Sequence, residues 1–237
     1  MSHQIYDAAT LILLLILAIV CHEVAHGAVA RRLGDMTAAE QGRLTLNPMV
    51  HVDPIGTVVV PGLLAMAHLP VFGWAKPVPV NARRLRHPRS GMMLVAAAGP
   101  ISNLLLAALA AVGLGVFARF GVFQSVLTGG APEPGLPGFA VDNLGNFLAI
   151  NIFLALFNLL PIPPFDGSHI MEGLLPRGLA RRYARLRGLG MVLVILLLVV
   201  LPRVVPGFNL TAKLVAPPFD WLLGHYLALV SLVAGGH

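Results

Sequence analysis

Apolar residues along this chain come in long runs, separated by short stretches that carry nearly all of the charge. A helix needs about 20 predominantly apolar residues to cross the hydrocarbon of a bilayer. The regions 8–29, 92–118, 139–160 and 188–205 meet or approach that length, and a fifth, 217–234, is interrupted near its start by Pro217, Pro218 and Asp220. The pattern predicts an all-α polytopic membrane protein with about five to six transmembrane helices. Between the first two runs lies 56–74, apolar but short, and punctuated by Pro61, Gly62, His68, Pro70 and Gly73. Its opening, Gly56-Thr57-Val58-Val59-Val60-Pro61, is rich in β-branched residues that favour extended backbone. Non-helical backbone at membrane depth is tolerated where it lines a protein cavity. A short re-entrant β-like element is therefore expected at 56–74, the alternative being a short, broken helix.

Composition agrees with the runs. Of 237 residues 57% are hydrophobic and 11% charged, and the mean hydropathy is +0.83, outside the range of soluble domains. The chain reads as a single integral-membrane domain, 1–237, with the lipid bilayer as its solvent. A net charge of +6 could suggest nucleic acid, but the basic residues gather beside the apolar runs without interleaved aromatics, so no nucleic-acid partner is expected. Topology accounts for them: loops rich in Lys and Arg stay cytoplasmic. Arg31, Arg32 and Arg43 follow the first run, Lys76, Arg83, Arg84, Arg86 and Arg89 precede the second, and Arg177, Arg181, Arg182, Arg185 and Arg187 lie between the third and fourth. The 120–138 loop, with Glu133 and no Lys or Arg, suits the outer side. Parity then requires 56–74 to enter and leave on one face. Met1–Asp7 has no Lys or Arg and no small-x-small site precedes residue 22, so the first run reads as a retained helix, not a cleaved signal. Cys21 is the only cysteine, which excludes an internal disulfide; about 100° around the helix from its neighbour, it reads as a small apolar residue.

The chemistry sits at the end of the first run, in His22-Glu23-Val24-Ala25-His26. Residues four apart share a helix face, so His22 and His26 can offer two imidazole nitrogens to one zinc ion with Glu23 alongside as general base. Catalytic zinc keeps one position open, and water there has a pKa of about 7. Each charged group near the bilayer centre costs roughly 2.5–3.5 kcal/mol on insertion scales, which makes intramembrane ionisable residues functional candidates. The bland reading is a satisfied polar cluster between helices. A third protein ligand must lie at the same depth and side. Asp166 meets that requirement, because the third run ends on the cytoplasmic side and Pro161, Pro163 and Pro164 turn the chain beyond it. Asp166-Gly167 could also be a solvated turn. His169 competes as a ligand or as a hydrogen-bonding partner of one, and Glu172, beside the basic stretch, is expected to face water.

These residues resemble the site-2 protease family of intramembrane zinc metalloproteases. The likeness rests on His22-Glu23-Val24-Ala25-His26, on Asn158 to Gly167 as an Asn/Pro/Asp-Gly motif, and on Gly99-Pro100-Ile101-Ser102-Asn103 as a Gly-Pro-x-x-Asn element. Asn47-Pro48 and His51-Val52-Asp53-Pro54-Ile55-Gly56 resemble the loop after the first motif in compact bacterial members. By that resemblance His22, His26 and Asp166 hold Zn2+ and Glu23 activates water. Asn158, and with it Asn103, would bind substrate, Asn158 by positioning it or stabilising oxyanion charge; the alternative use of both amides is hydrogen bonding between helices. Family members that carry a PDZ or nucleotide-sensing domain are longer, and this chain has room for neither. The resemblance implies an endopeptidase of membrane-anchored protein substrates, acting in regulated intramembrane proteolysis at the cytoplasmic side of a bacterial inner membrane. The rival class is a membrane metal transporter or metal-binding assembly protein, which also needs intramembrane His and Asp.

Overall fold

A computed structural model describes residues 2–66, 74–120, 135–205 and 207–236. Its principal helices are α1 (Ser2–Arg32), α2 (Pro88–Arg119), α3 (Leu136–Asn158), α4 (Asp166–Leu174), α5 (Arg177–Val204) and α6 (Ala216–Ala234). No strand occurs among the described residues. Among the described residues four helical stretches are long and apolar enough to cross a membrane, against the five to six expected: Thr10–Arg32, Pro88–Arg119, Pro137–Asn158 and Arg177–Val204. The expected all-α polytopic fold is therefore present. The basic stretch Arg177–Arg187, expected as a loop between spans, is itself helical and runs into the fourth apolar segment. Of the 120–138 loop, residues 121–134, including Glu133, lie outside the described residues.

Helix α2 is the hub, packing against α1, α3, α4 and α6. On the side facing α3 and α6 it presents Ala107, Ala110, Ala111, Leu114 and Ala118, which are buried with Val141, Leu148, Ile152 and Val230. Small residues let membrane helices approach closely enough for van der Waals packing, the main attraction available where lipid tails are as apolar as Leu. The opposite stripe, Ile101, Leu105, Leu109, Val112 and Val116, faces outward, as do Leu11, Ile12, Leu13 and Leu17 of α1. A soluble helix turns its polar face outward; these turn Leu, Ile and Val, as lipid contact requires.

Over the described residues 56–66 the expected β-like element is not formed. The chain is helical from Pro54 to Met66, while residues 67–73 lie outside the described residues. Start signals outweigh β-branched propensity here: Pro54 occupies the first turn, and the Asp53 carboxylate accepts the amides of Ile55 and Gly56, each at 2.9 Å. The Trp74 amide donates to Gly56 O (3.1 Å) and the Thr57 hydroxyl to Trp74 O (3.0 Å), so the chain returns beside its point of departure. Residues 74–80 follow as a strap without regular secondary structure.

Buried Asp35 ties the end of α1 to this strap. Its carboxylate accepts from the Thr37 amide (3.0 Å) and hydroxyl (2.5 Å) on one oxygen and from the Asn81 amide (2.6 Å) on the other. Burial raises its pKa, but the bonds from Thr37 and Asn81, with the charge of Arg84, outweigh burial and leave it below the usual value. A carboxyl depressed in the folded state contributes stability above its unfolded pKa of about 3.9 and loses that contribution as pH falls through the folded value. Asp35→Asn should cost about 1–3 kcal/mol near neutral pH, because the Asn81 amide loses a charged acceptor. Thermal unfolding in detergent should show the gap from wild type narrowing below about pH 4; a gap independent of pH would contradict this role.

Candidate metal centre and catalytic cleft

Two turns before its end, α1 presents His22 and His26 on one face, their ring centroids 4.6 Å apart and their planes at 87°. Both are buried, at 6% and 8% exposure. The third member of the group comes from 140 residues further on, delivered by the Pro-rich turn after α3. Helix α4 starts at Asp166, and its second residue, Gly167, lies against the carbonyls of Leu159 and Leu160 so tightly that a Cβ there would overlap them. The Asp-Gly pair thus has a packing reason: only glycine lets α4 begin folded back on the end of α3.

The Asp166 carboxylate Oδ2 lies 3.0 Å from His22 Nε2 and 3.3 Å from His26 Nε2. The donor atoms of all three residues lie within 4.8 Å of one another. Tetrahedral zinc with bonds of about 2.0–2.1 Å separates its ligand atoms by about 3.3 Å, so the two distances to Asp166 are close to what that ion requires. Each histidine is oriented from behind. His26 Nδ1 donates to Val95 O (2.7 Å), which leaves Nε2 as the nitrogen that faces Asp166. His22 Nδ1 lies 2.5 Å from Asn103 Oδ1. The floor is Gly99 of α2: a Cβ there would stand 2.5 Å from His22 Nε2 and from His26 Nε2. The missing side chain leaves the hollow that a metal ion at the focus of the three ligands requires.

Glu23 points to the strap, where the Val78 amide donates to its Oε2 (2.8 Å). Pro77 and Pro79 have no amide hydrogen, so Val78 presents the one N–H of that tripeptide. Arg43, buried rather than solvated, secures the strap through the carbonyls of Lys76 (2.7 Å) and Pro77 (3.2 Å). Neither residue was legible as part of the site: Arg43 looked like one more cytoplasmic charge, and a backbone amide leaves no signature in sequence.

A cavity of about 1710 Å³ opens over the cluster, lined by Glu23, Asn158, Asp166 and His169 among others. Asn158, one of the two amides expected to bind substrate, is in its wall. Asn103 is not; it is fully buried behind His22, where an amide can serve the ring but cannot meet a substrate. His169 lines the cavity without joining the gathered donors. Burial, then the Arg187 charge, holds its imidazole below the usual pKa. Glu172 is ion-paired with Arg187.

Helices that present lipid-compatible faces outward and two histidines and a carboxylate inward define a membrane metalloprotease-like constellation. The family model of Peptidase family M50 matches residues 138–201. "Putative zinc metalloprotease YwhC" of Bacillus subtilis (strain 168) is 40% identical over 193 residues, covering 80% of each chain. "Putative zinc metalloprotease Rip2" of Mycolicibacterium smegmatis is 29% identical over 185 residues, covering 78% of this chain and 64% of that one. No solved structure matches the chain. The chain belongs to peptidase family M50, the site-2 protease family, and is a metalloprotease.

Proposed function

We propose that this metalloprotease hydrolyses a peptide bond in or near a transmembrane segment of membrane-anchored proteins, as a step of regulated intramembrane proteolysis. Its place would be a bacterial inner membrane, with the site toward the cytoplasm, where the positive-inside rule puts the end of α1. The observation that carries the reading is the His22, His26 and Asp166 group, gathered between helices whose outer faces are apolar. These three residues would hold zinc. Bound there, the ion supplies Lewis acidity that polarises the scissile carbonyl and makes water more acidic. Glu23, held by the Val78 amide at the cavity wall, takes the proton of the attacking water and delivers it to the leaving amine. Asn158 donates one amide hydrogen to Leu154 O (3.0 Å), and its second is free to meet developing oxyanion charge. The apolar part of the cavity, with Leu15, Ile19, Phe153 and Phe157, suits a transmembrane segment.

The test is cleavage of a membrane-anchored protein in liposomes containing the purified enzyme, with products mapped by mass. The expected cut lies in or beside the apolar segment, stops with a chelator and resumes with added zinc. Cutting confined to soluble regions would overturn the intramembrane reading, and zinc flux across sealed liposomes without cleavage would favour transport.

A further inference from the structure

Asn103 of α2 and Asn151 of α3 are both fully buried, and neither lines the cavity. Their amides form a chain that begins on a backbone carbonyl and ends on a ring nitrogen. Asn151 Nδ2 donates to Phe147 O (2.8 Å), and a carbonyl can only accept, so Asn151 must turn its Oδ1 the other way. That oxygen accepts from Asn103 Nδ2 (2.8 Å), which also faces Ala18 O of α1 at 3.4 Å. Asn103 therefore turns its own Oδ1 to His22, where Nδ1 stands at 2.5 Å. An oxygen acceptor at that distance requires the proton on Nδ1. Nε2, 3.0 Å from Asp166 Oδ2, is then the nitrogen whose lone pair is available to a metal ion in the neutral ring, the form a metal ligand needs.

We infer that Asn103 and Asn151 are positioning residues that set the tautomer and ring orientation of His22, through a hydrogen-bond polarity fixed at the Phe147 carbonyl. Simple helix-to-helix bonding would be satisfied by either orientation of the two amides; this arrangement is not, because both of its ends are committed. The same job is done for His26 by a single backbone carbonyl, Val95 O, so the two ligands reach one state by different means. Partners that orient ligating histidines typically contribute 10–100-fold to metal affinity. The inference rests on His22 being a ligand, as proposed above.

The experiment measures zinc affinity of the full-length protein in detergent by competition with a chelator, alongside thermal unfolding of the metal-free form. Asn103→Leu, which removes the acceptor, should weaken zinc binding about 10–100-fold. Asn151→Leu should weaken it less, because it leaves Asn103 present but free to flip. Asn103→Asp alone sets an oxygen against Asn151 Oδ1, but combined with Asn151→Leu it offers His22 an acceptor in either orientation, so the double variant should bind zinc more tightly than Asn103→Leu. A folded Asn103→Leu protein with wild-type affinity, or an Asn103→Asp, Asn151→Leu double variant that binds no more tightly than Asn103→Leu, would overturn the relay. If Asn103→Leu does not fold, Asn151→Leu, a step further from the metal, carries the comparison. Wild-type protein that binds no zinc would sink the ligand assignment itself and this inference with it.

Discussion

Glu23→Gln is expected to hold zinc as tightly as wild type while losing about 10²–10⁴-fold in cleavage rate, the usual contribution of a positioned general base. The first half follows from geometry. Glu23 is not among the three gathered donors and lies instead against the strap, bonded to the Val78 amide. Glutamine has the same shape, and its amide oxygen can still accept from Val78, so the strap and the cavity wall need not move. What disappears is the carboxylate that takes a proton from water. KM should change little, because the substitution removes an interaction made in the transition state and not in substrate binding. Metal analysis and initial rates on a membrane-anchored substrate check both halves. Cleavage at the wild-type rate would exclude Glu23 as the base; lost zinc would mean that the carboxylate supports the metal.

Why His22, Glu23 and His26 were readable and their surroundings were not follows from the distance over which each contact acts. A spacing of four on one helix is local, and an apolar helix makes the polarity of those residues conspicuous. Asp166 was reachable because the basic loops orient the chain and the proline turn follows a span, yet nothing before the resemblance separated it from His169 or a solvated turn. The structure separates them by placing Oδ2 near both Nε2 atoms. Asn103 was legible as a buried amide in an apolar helix and misassigned to substrate. Which neighbour an amide meets depends on how α1, α2 and α3 pack, and packing between distant segments leaves no periodic mark. Asn151 carried the same signal, an amide in the middle of an apolar run, and could have been flagged by it. At 54–66 local information was present but conflicting: Asp53-Pro54 marks a helix start, whereas Thr57 and the valines that follow favour a strand, and the cap prevailed.

Gly99→Ala should leave a folded protein that no longer binds zinc well. In the middle of α2 alanine is the better helix former by about 0.8–1.0 kcal/mol, so the helix itself gains. The added methyl, however, would lie 2.5 Å from His22 Nε2 and Cε1 and from His26 Nε2, well inside van der Waals contact. A flexible side chain could swing away; these rings cannot do so cheaply. His22 is held at Nδ1 by Asn103 and His26 by Val95 O, and each must break a buried hydrogen bond to make room. The displaced nitrogens then no longer converge with Asp166. The loss should match or exceed that from removing an orienting partner, about 10–100-fold in affinity. It is visible without any substrate: zinc at a thousandfold excess over the wild-type Kd raises stability by about 4.1 kcal/mol, whereas a site 10–100-fold weaker gains only about 1.4–2.7 kcal/mol from the same zinc, so the variant's unfolding should shift clearly less than that of wild type. Gly145→Ala is the control, since a Cβ at this helical position of α3 meets nothing within 4 Å. It should match wild type in zinc response; a Gly99→Ala protein that does so too would mean the hollow beneath the histidines is not where the metal sits.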